Sequence, residues 1–324
     1  MEKWIMLRRY FPLMISLLLL AGCVRHPHQT PLSSPLTAVK SKVETRAMST
    51  FNRVDVQGAI NVNLRSGYKR PAVILRGDPR DLMEIITEIK NDTLLITVKK
   101  GAPKFGSIAA EIHSPYLNSL AYKGMGTVVG NNLHSSLLDL NIDNAGQTTL
   151  GGSIVVRKLD ARGGGSIIIK GASSRHLQLE ISDNTKVLMA GVMNVNKLKL
   201  KGDGWLTMYW VKSPMLTICA KGVSTIQLAG VVNKLELELR GSARFKGRYL
   251  RVKNAFVKTH DKAIAEISAL KHQHALATDA SDIYFYTIPQ TKTDFMAYQG
   301  SILDMRDLSL PDLQNYDRYN KDMP

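Results

Sequence analysis

The feature that most constrains this chain is a period. Segments reading "LAYKG", "LNIDN", "LDARG", "LEISD", "LKLKG", "ICAKG" and "LELRG" end at Gly124, Asn144, Gly163, Asp183, Gly202, Gly222 and Gly241, and weaker copies end at His260, Asp279 and Gly300. The step is about 19 to 21 residues, the signature of stacked supersecondary units. Every residue at the anchor is Gly, Asn, Asp or His, the types that best tolerate positive φ. Apolar residues recur four and two positions before it (Leu140/Ile142, Leu179/Ile181, Leu198/Leu200, Leu237/Leu239) and four after it (Val128, Ile167, Val187, Leu206, Ile226, Phe245, Ile264, Ile283). Each unit therefore reads as strand, left-handed corner, strand. In "LDARGGGSIIIKG" the glycines make the corner, and Ile167 and Ile169 fill the interior beyond it. One such unit cannot bury its apolar face, but rungs stacked about 4.8 Å apart give a continuous core with every internal strand paired. The reading is an all-β parallel β-helix with rungs of about 19–21 residues. A β-sandwich or barrel is the rival; it favours two-residue hairpin turns and has no reason to keep one corner type at a fixed period.

The N-terminus reads as an export signal over residues 1–22. Lys3, Arg8 and Arg9 form a basic lead, Phe11 to Leu20 an apolar run, and "LAGC" ends at Cys23. The run is shorter than the roughly 20 residues that span a bilayer. "LAGC" resembles the lipobox of bacterial lipoproteins, in which the signal is cut before a cysteine that then carries diacylglycerol. The resemblance implies lipidation of Cys23 and a membrane partner through that anchor; Val24, where an aspartate would favour inner-membrane retention, implies the outer membrane. Residues 23–47, rich in Pro, Ser and Thr, read as a flexible tether. His26 and His28 lie in it without the further ligands a metal site needs. The β-helix domain is expected over 48–305, and a polar tail over 306–324.

Only two cysteines exist, so lipidation of Cys23 leaves Cys219 without a disulfide partner. The domain must hold itself together by burial, and roughly 280 residues suffice for that. The chain carries 43 Lys and Arg against 27 Asp and Glu, a formal charge of +16. Behind an export signal the expected anionic neighbours are lipopolysaccharide, phospholipid headgroups and acidic glycans, with no nucleic acid; the other reading is that the charge only keeps the domain soluble.

From Phe51 onward short runs alternate, Val54/Val56, Ile60/Val62/Leu64, Val73/Leu75 and Leu94/Ile96/Val98, and period two between turn signals means strands. Leu82, Ile85, Ile86 and Ile89 instead fall at i, i+3, i+4 and i+7 after Pro79, which predicts a short helix of one or two turns.

The chain resembles the GIN domain family of exported bacterial proteins, described as autotransporter adhesin head domains, over roughly Met48 to Met305. The carriers are "FNRVDVQGAINVNLRSG", "LRGDPRDLMEIITEIKNDTLLITVKKG", the rung corners "GMG", "GGGS" and "GDG", and the ending "ASDIYFYTIP". The resemblance implies a right-handed parallel β-helix on the cell envelope and brings no catalytic motif.

If positions −4 and −2 from each anchor point inward, −3 and −1 point out. The −1 column reads Lys123, Asp143, Arg162, Ser182, Lys201, Lys221, Arg240. Lys123, Arg162, Lys201, Lys221 and Arg240 thus form a candidate anion-binding stripe; the competing reading is a solvated edge neutralised by Asp160, Glu180 and Glu238 in the −3 column. An enzyme on a β-helix gathers carboxylates on neighbouring rungs. Asp160 over Glu180 is the comparable stack, and beside Arg162 and Lys199 it reads more simply as a salt-bridged ladder. His272 and His274 share one side of a strand but lack a third ligand, and no histidine shares the rung of Cys219 to activate it. Trp205, Tyr209 and Trp210 form the densest aromatic cluster, where Trp205 or Trp210 could stack on a sugar or simply cover the solenoid. No catalytic residue, cofactor or metal is expected. The favoured reading is a non-enzymatic envelope binding scaffold for an anionic glycan or lipopolysaccharide. The alternative is a periplasmic structural or signalling scaffold that binds other envelope proteins, and a polysaccharide-active enzyme is more distant.

Overall fold

The structure, a computed structural model, describes residues 41–99, 103–290 and 292–306. The expected signal, Cys23, His26, His28 and the tail beyond Arg306 lie outside the described residues. The chain forms a β-solenoid of about nine turns.

Eight long strands make the regular body: β9 (Val128–Asn144), β10 (Gln147–Arg162), β11 (Ser166–Ile181), β12 (Lys186–Leu200), β13 (Trp205–Ala220), β14 (Thr225–Leu239), β15 (Arg244–Thr259) and β16 (Ile264–Thr278). Each pairs in parallel with the next. The expected corner falls between consecutive strands, with positive φ at Gly163, Asp183, Gly202, Gly222, Gly241 and Asp279. In the GGG corner Gly163 and Gly164 take the left-handed backbone, while a Cβ on Gly165 would lie under 3.0 Å from the carbonyl oxygens of Asn144 and Gly146. Asn144 turns its corner differently. Its Oδ1 accepts the Gly146 amide at 2.8 Å and its Nδ2 donates to Gly126 O at 3.0 Å, a side chain standing in for backbone.

A second corner lies inside each of β9 to β14. Asn132, Gly152, Gly171, Gly191, Trp210 and Gly230 all have positive φ, one in each of these six strands. A third bend follows, where two exposed residues such as Arg175-His176 or Pro214-Met215 interrupt the alternation. Rungs are therefore three-sided, and their inward residues form one hydrophobic cluster running from Phe51 to Ile283.

Two corners near the C-terminal end sit one residue away from their expected place. Leu237 pairs with Val257 and Phe245 with Ala265, so Asp261 (φ 61°) is the corner in place of His260, and Ala265 in place of Ile264 points inward. Likewise Gln299 (φ 63°) makes the turn expected at Gly300.

The N-terminal end is short-stranded: β1 (Lys42–Ala47), β2 (Arg53–Gln57), β3 (Ile60–Ser66), β4 (Ala72–Gly77), β5 (Ile85–Lys90), β6 (Thr93–Val98), β7 (Ile108–Ser114) and β8 (Ser119–Gly124), with helix α1 (Pro79–Leu82). It is not all parallel, since β1–β4, β4–β7 and β5–β6 run antiparallel. The helix stops at Leu82, and Ile85, Ile86 and Ile89 lie in β5. β-Branched residues favour that strand, and Asn91 and Asp92, both at positive φ, close a two-residue hairpin into β6. β1 replaces the last residues of the expected tether. Its polarity is inverted, with Val43 exposed while Arg46 donates to Ile85 O and Thr87 Oγ1, each at 2.9 Å. At the other end, β17 (Asp282–Thr287), β18 (Lys292–Tyr298) and β19 (Ser301–Asp304) add parallel pairs to β16 and to one another, and every residue of β18 is exposed.

Candidate functional site

The −1 positions stack as one outward column along the first corner. Lys123 pairs with Asp143 and Asp143 with Arg162. Beyond them each backbone amide bonds to the rung before: Ser182 to Ala161 O, Lys201 to Ile181 O, Lys221 to Leu200 O and Arg240 to Ala220 O, at 2.9 to 3.0 Å. Lys123, Arg162, Lys201, Lys221 and Arg240 are all exposed. The −3 column runs beside it, with Asp160, Glu180, Lys199, Cys219, Glu238 and Lys258 in register.

Carboxylates neutralise only part of this ladder. Glu180 lies 3.1 Å from Lys201 Nζ, and Glu238 lies 2.8 Å from Arg240. The hydrogen bonds from Lys201 and Arg240 hold both carboxyls below the usual carboxylate range, so both stay ionised as counter-charges. The side chains of Lys123, Arg162 and Lys221 have no ion-pair partner among the described residues. Lys199, Lys201, Lys221 and Arg240 converge with Glu238 and Cys219 on a shallow cavity of about 290 Å³, with four cations and one carboxylate in its lining and Glu180 paired to Lys201 beside it.

Asp160 and Glu180 do stack as register partners, but each has a lysine: Asp160 pairs with Lys158 at 2.9 Å and Glu180 with Lys201. A depressed, ion-paired Glu180 is the opposite of a general acid, which needs its proton held near neutral pH. Trp205 stands just past the corner that follows Lys201. It is 41% exposed, its Nε1 donates to Thr207 Oγ1 at 3.0 Å, and with Ser166, Ile168, Lys186 and Leu188 it borders a second shallow cavity. Trp210 belongs to the second corner, at φ 58° in a column otherwise of Gly and Asn, and meets Tyr209 edge-on at 6.4 Å. A bulky residue there is backbone strain. His272 and His274 face outward from β16, opposite Asp294 of β18.

The second corner column escaped the sequence reading although its glycines recur at the same period as the first. Asp294 escaped it because the link between strands 20 residues apart is visible only in the register.

The chain is similar to several crystal structures. A "putative adhesin" of Parabacteroides merdae is 15% identical over 82% of this chain and 96% of its own, at a TM-score of 0.45. A "putative lipid binding protein" of Parabacteroides distasonis is 14% identical over 81% and 96%, at 0.43. A "putative adhesin" of Bacteroides fragilis is 16% identical over 81% and 97%, at 0.32. No curated protein matches the chain in sequence. The family model described as "Putative auto-transporter adhesin, head GIN domain" matches residues 50–209 and again 156–289, two overlapping stretches that take in most rungs of the solenoid. With that repeated match over the rungs that build it, the chain belongs to the GIN domain family.

Proposed function

We propose that this protein is a non-enzymatic binding scaffold of the cell envelope that captures an anionic glycan, lipopolysaccharide included, along the basic ladder of its first corner. The observation that carries the reading is the cavity lined by Lys199, Lys201, Lys221 and Arg240, whose four cations outnumber the two carboxylates near them, Glu238 in the lining and Glu180 on Lys201. Rungs repeat about every 4.8 Å, so the ladder offers cations at a spacing that a polymer bearing regular carboxylates or phosphates can follow. Trp205, exposed beside the corner below, supplies an apolar face on which a sugar ring can rest. Membership in a family of adhesin heads supports an envelope or surface location. Among the described residues no helix is long and apolar enough to cross a membrane; the reading places attachment on a lipid at Cys23, in the "LAGC" sequence.

The test uses the wild-type protein and the double variant Lys201→Glu/Lys221→Glu with two probes, polygalacturonate and lipopolysaccharide micelles. Wild type binds, more weakly as salt rises, and the variant binds at least tenfold more weakly while its circular dichroism is unchanged. Equal binding by the folded variant rejects the ladder as the site.

A further inference from the structure

We propose that His272, His274 and Asp294 form a zinc site that staples the terminal strand β18 onto the solenoid. His272 and His274 are two residues apart on β16 and point to the same side, and β18 lies beside them with His274 directly opposite Asp294. Asp294 Oδ2 is 3.4 Å from His272 Nε2 and 3.7 Å from His274 Nδ1, and all three ligand atoms fall within 4.8 Å of one another. A tetrahedral zinc ion with bonds of about 2.0–2.1 Å holds its ligand atoms about 3.4 Å apart, so little movement is needed.

Two further observations point to a ligand. His272 Nε2 is buried and has no hydrogen-bond partner among the described residues, a cost that a metal bond removes. The ring of Phe256, one rung below, lies against both imidazoles, with centroids 5.5 Å from His272 and 6.2 Å from His274. An apolar floor of this kind fixes ring orientation and limits water around a metal. Two nitrogens and one carboxylate leave a fourth position open for water, and the donor set suits zinc.

The site lies where the fold has most use for it. β18 is exposed along its whole length and hangs on its ladder to β16 and on the stacking of Phe295 against Phe285, centroids 5.2 Å apart. A metal bond between the two strands adds a side-chain tie that holds this terminal strand against fraying from β16.

Purified full-length protein, stripped of metal, is titrated with zinc chloride by calorimetry beside His274→Ala, Asp294→Asn and the control His176→Ala. All three substitutions are at exposed positions, so the fold is preserved. Wild type and the control take up one zinc equivalent that both site variants lose, or bind at least tenfold more weakly. Zinc also raises the Tm and slows amide exchange over residues 292–298 in wild type but not in Asp294→Asn. Absence of binding by wild type at excess zinc, or an undiminished zinc equivalent in Asp294→Asn, overturns the proposal.

Discussion

The Tyr122 hydroxyl donates to the carbonyl of Ile60 at 2.9 Å, locking β8 to β3 at the start of the solenoid, and it accepts the Gly126 amide at 2.8 Å. The "GMG" corner exists around that hydroxyl: a Cβ on Gly126 would sit under 3.0 Å from it, and one on Gly124 under 3.0 Å from Gly58 O. Tyr122→Phe strands the Ile60 carbonyl and the Gly126 amide inside the protein. It should cost about 1–3 kcal/mol, read as a lower urea midpoint at unchanged slope.

The second corner column separates two glycines that look alike in the sequence. Gly191 has φ 143° and no room for a Cβ beside the Ala172 carbonyl, whereas a Cβ on Gly151 would meet only Lys170 O at 3.9 Å. Gly191→Ala is expected to lose about 2 kcal/mol or more, and Gly151→Ala to be neutral or stabilising by up to about 1 kcal/mol. Thermal unfolding of the two variants side by side distinguishes them; a Gly191→Ala protein as stable as wild type would show that the corner tolerates a side chain.

The solenoid's period was plain in the sequence because Gly, Asn and Asp at the corner and paired apolar residues around it report the same rung independently. Where one of those signals lapsed, the register slipped by one. At the rung ending in Thr259, "FVKTHD" offers both His260 and Asp261, and only strand pairing shows that Asp261 turns the chain while Ala265 fills the interior. The N-terminal cap was the least legible part. Ile85, Ile86 and Ile89 have helical spacing but β-branched shapes, and β1 half-buries Arg46 and exposes Val43, so its outward face looks apolar and its inward face polar. The cationic column followed from the alternation alone. Its partial neutralisation by Glu180 and Glu238, and the approach of Asp294 to the two histidines, depend on side-chain reach across rungs.

Glu266 makes stability fall with rising pH over a definite window. Burial pushes its carboxyl above the ordinary range, and Arg248, 3.7 Å away, and Lys246 offset this only in part. The folded protein therefore holds this proton more tightly than the unfolded chain does. The stabilisation is full below the unfolded carboxylate pKa of about 4.3 and is lost as pH rises through the folded value. Glu266→Gln should remove that slope and raise stability at pH 7. Urea titrations of both proteins across the acidic range check it, and identical slopes would contradict it.

Gln273 is fully buried, and neither of its amide atoms has a hydrogen-bond partner among the described residues. Gln273→Met keeps the length of the side chain and removes the unpaired polar atoms, so it should stabilise the protein by about 1–2 kcal/mol. A higher Tm at the same zinc stoichiometry is the expected result, since Gln273 points into the core and its neighbours His272 and His274 point out.

A lysine footprint reads ligand contact along the ladder directly. Wild-type protein is acetylated with and without saturating polygalacturonate or lipopolysaccharide, and modification is read lysine by lysine by mass spectrometry. Ligand seated on the first-corner ladder is expected to protect Lys199, Lys201 and Lys221, with Lys170, Lys212 and Lys253 on the other sides modified as before. Uniform protection of all six, or protection confined to the latter three, would contradict it.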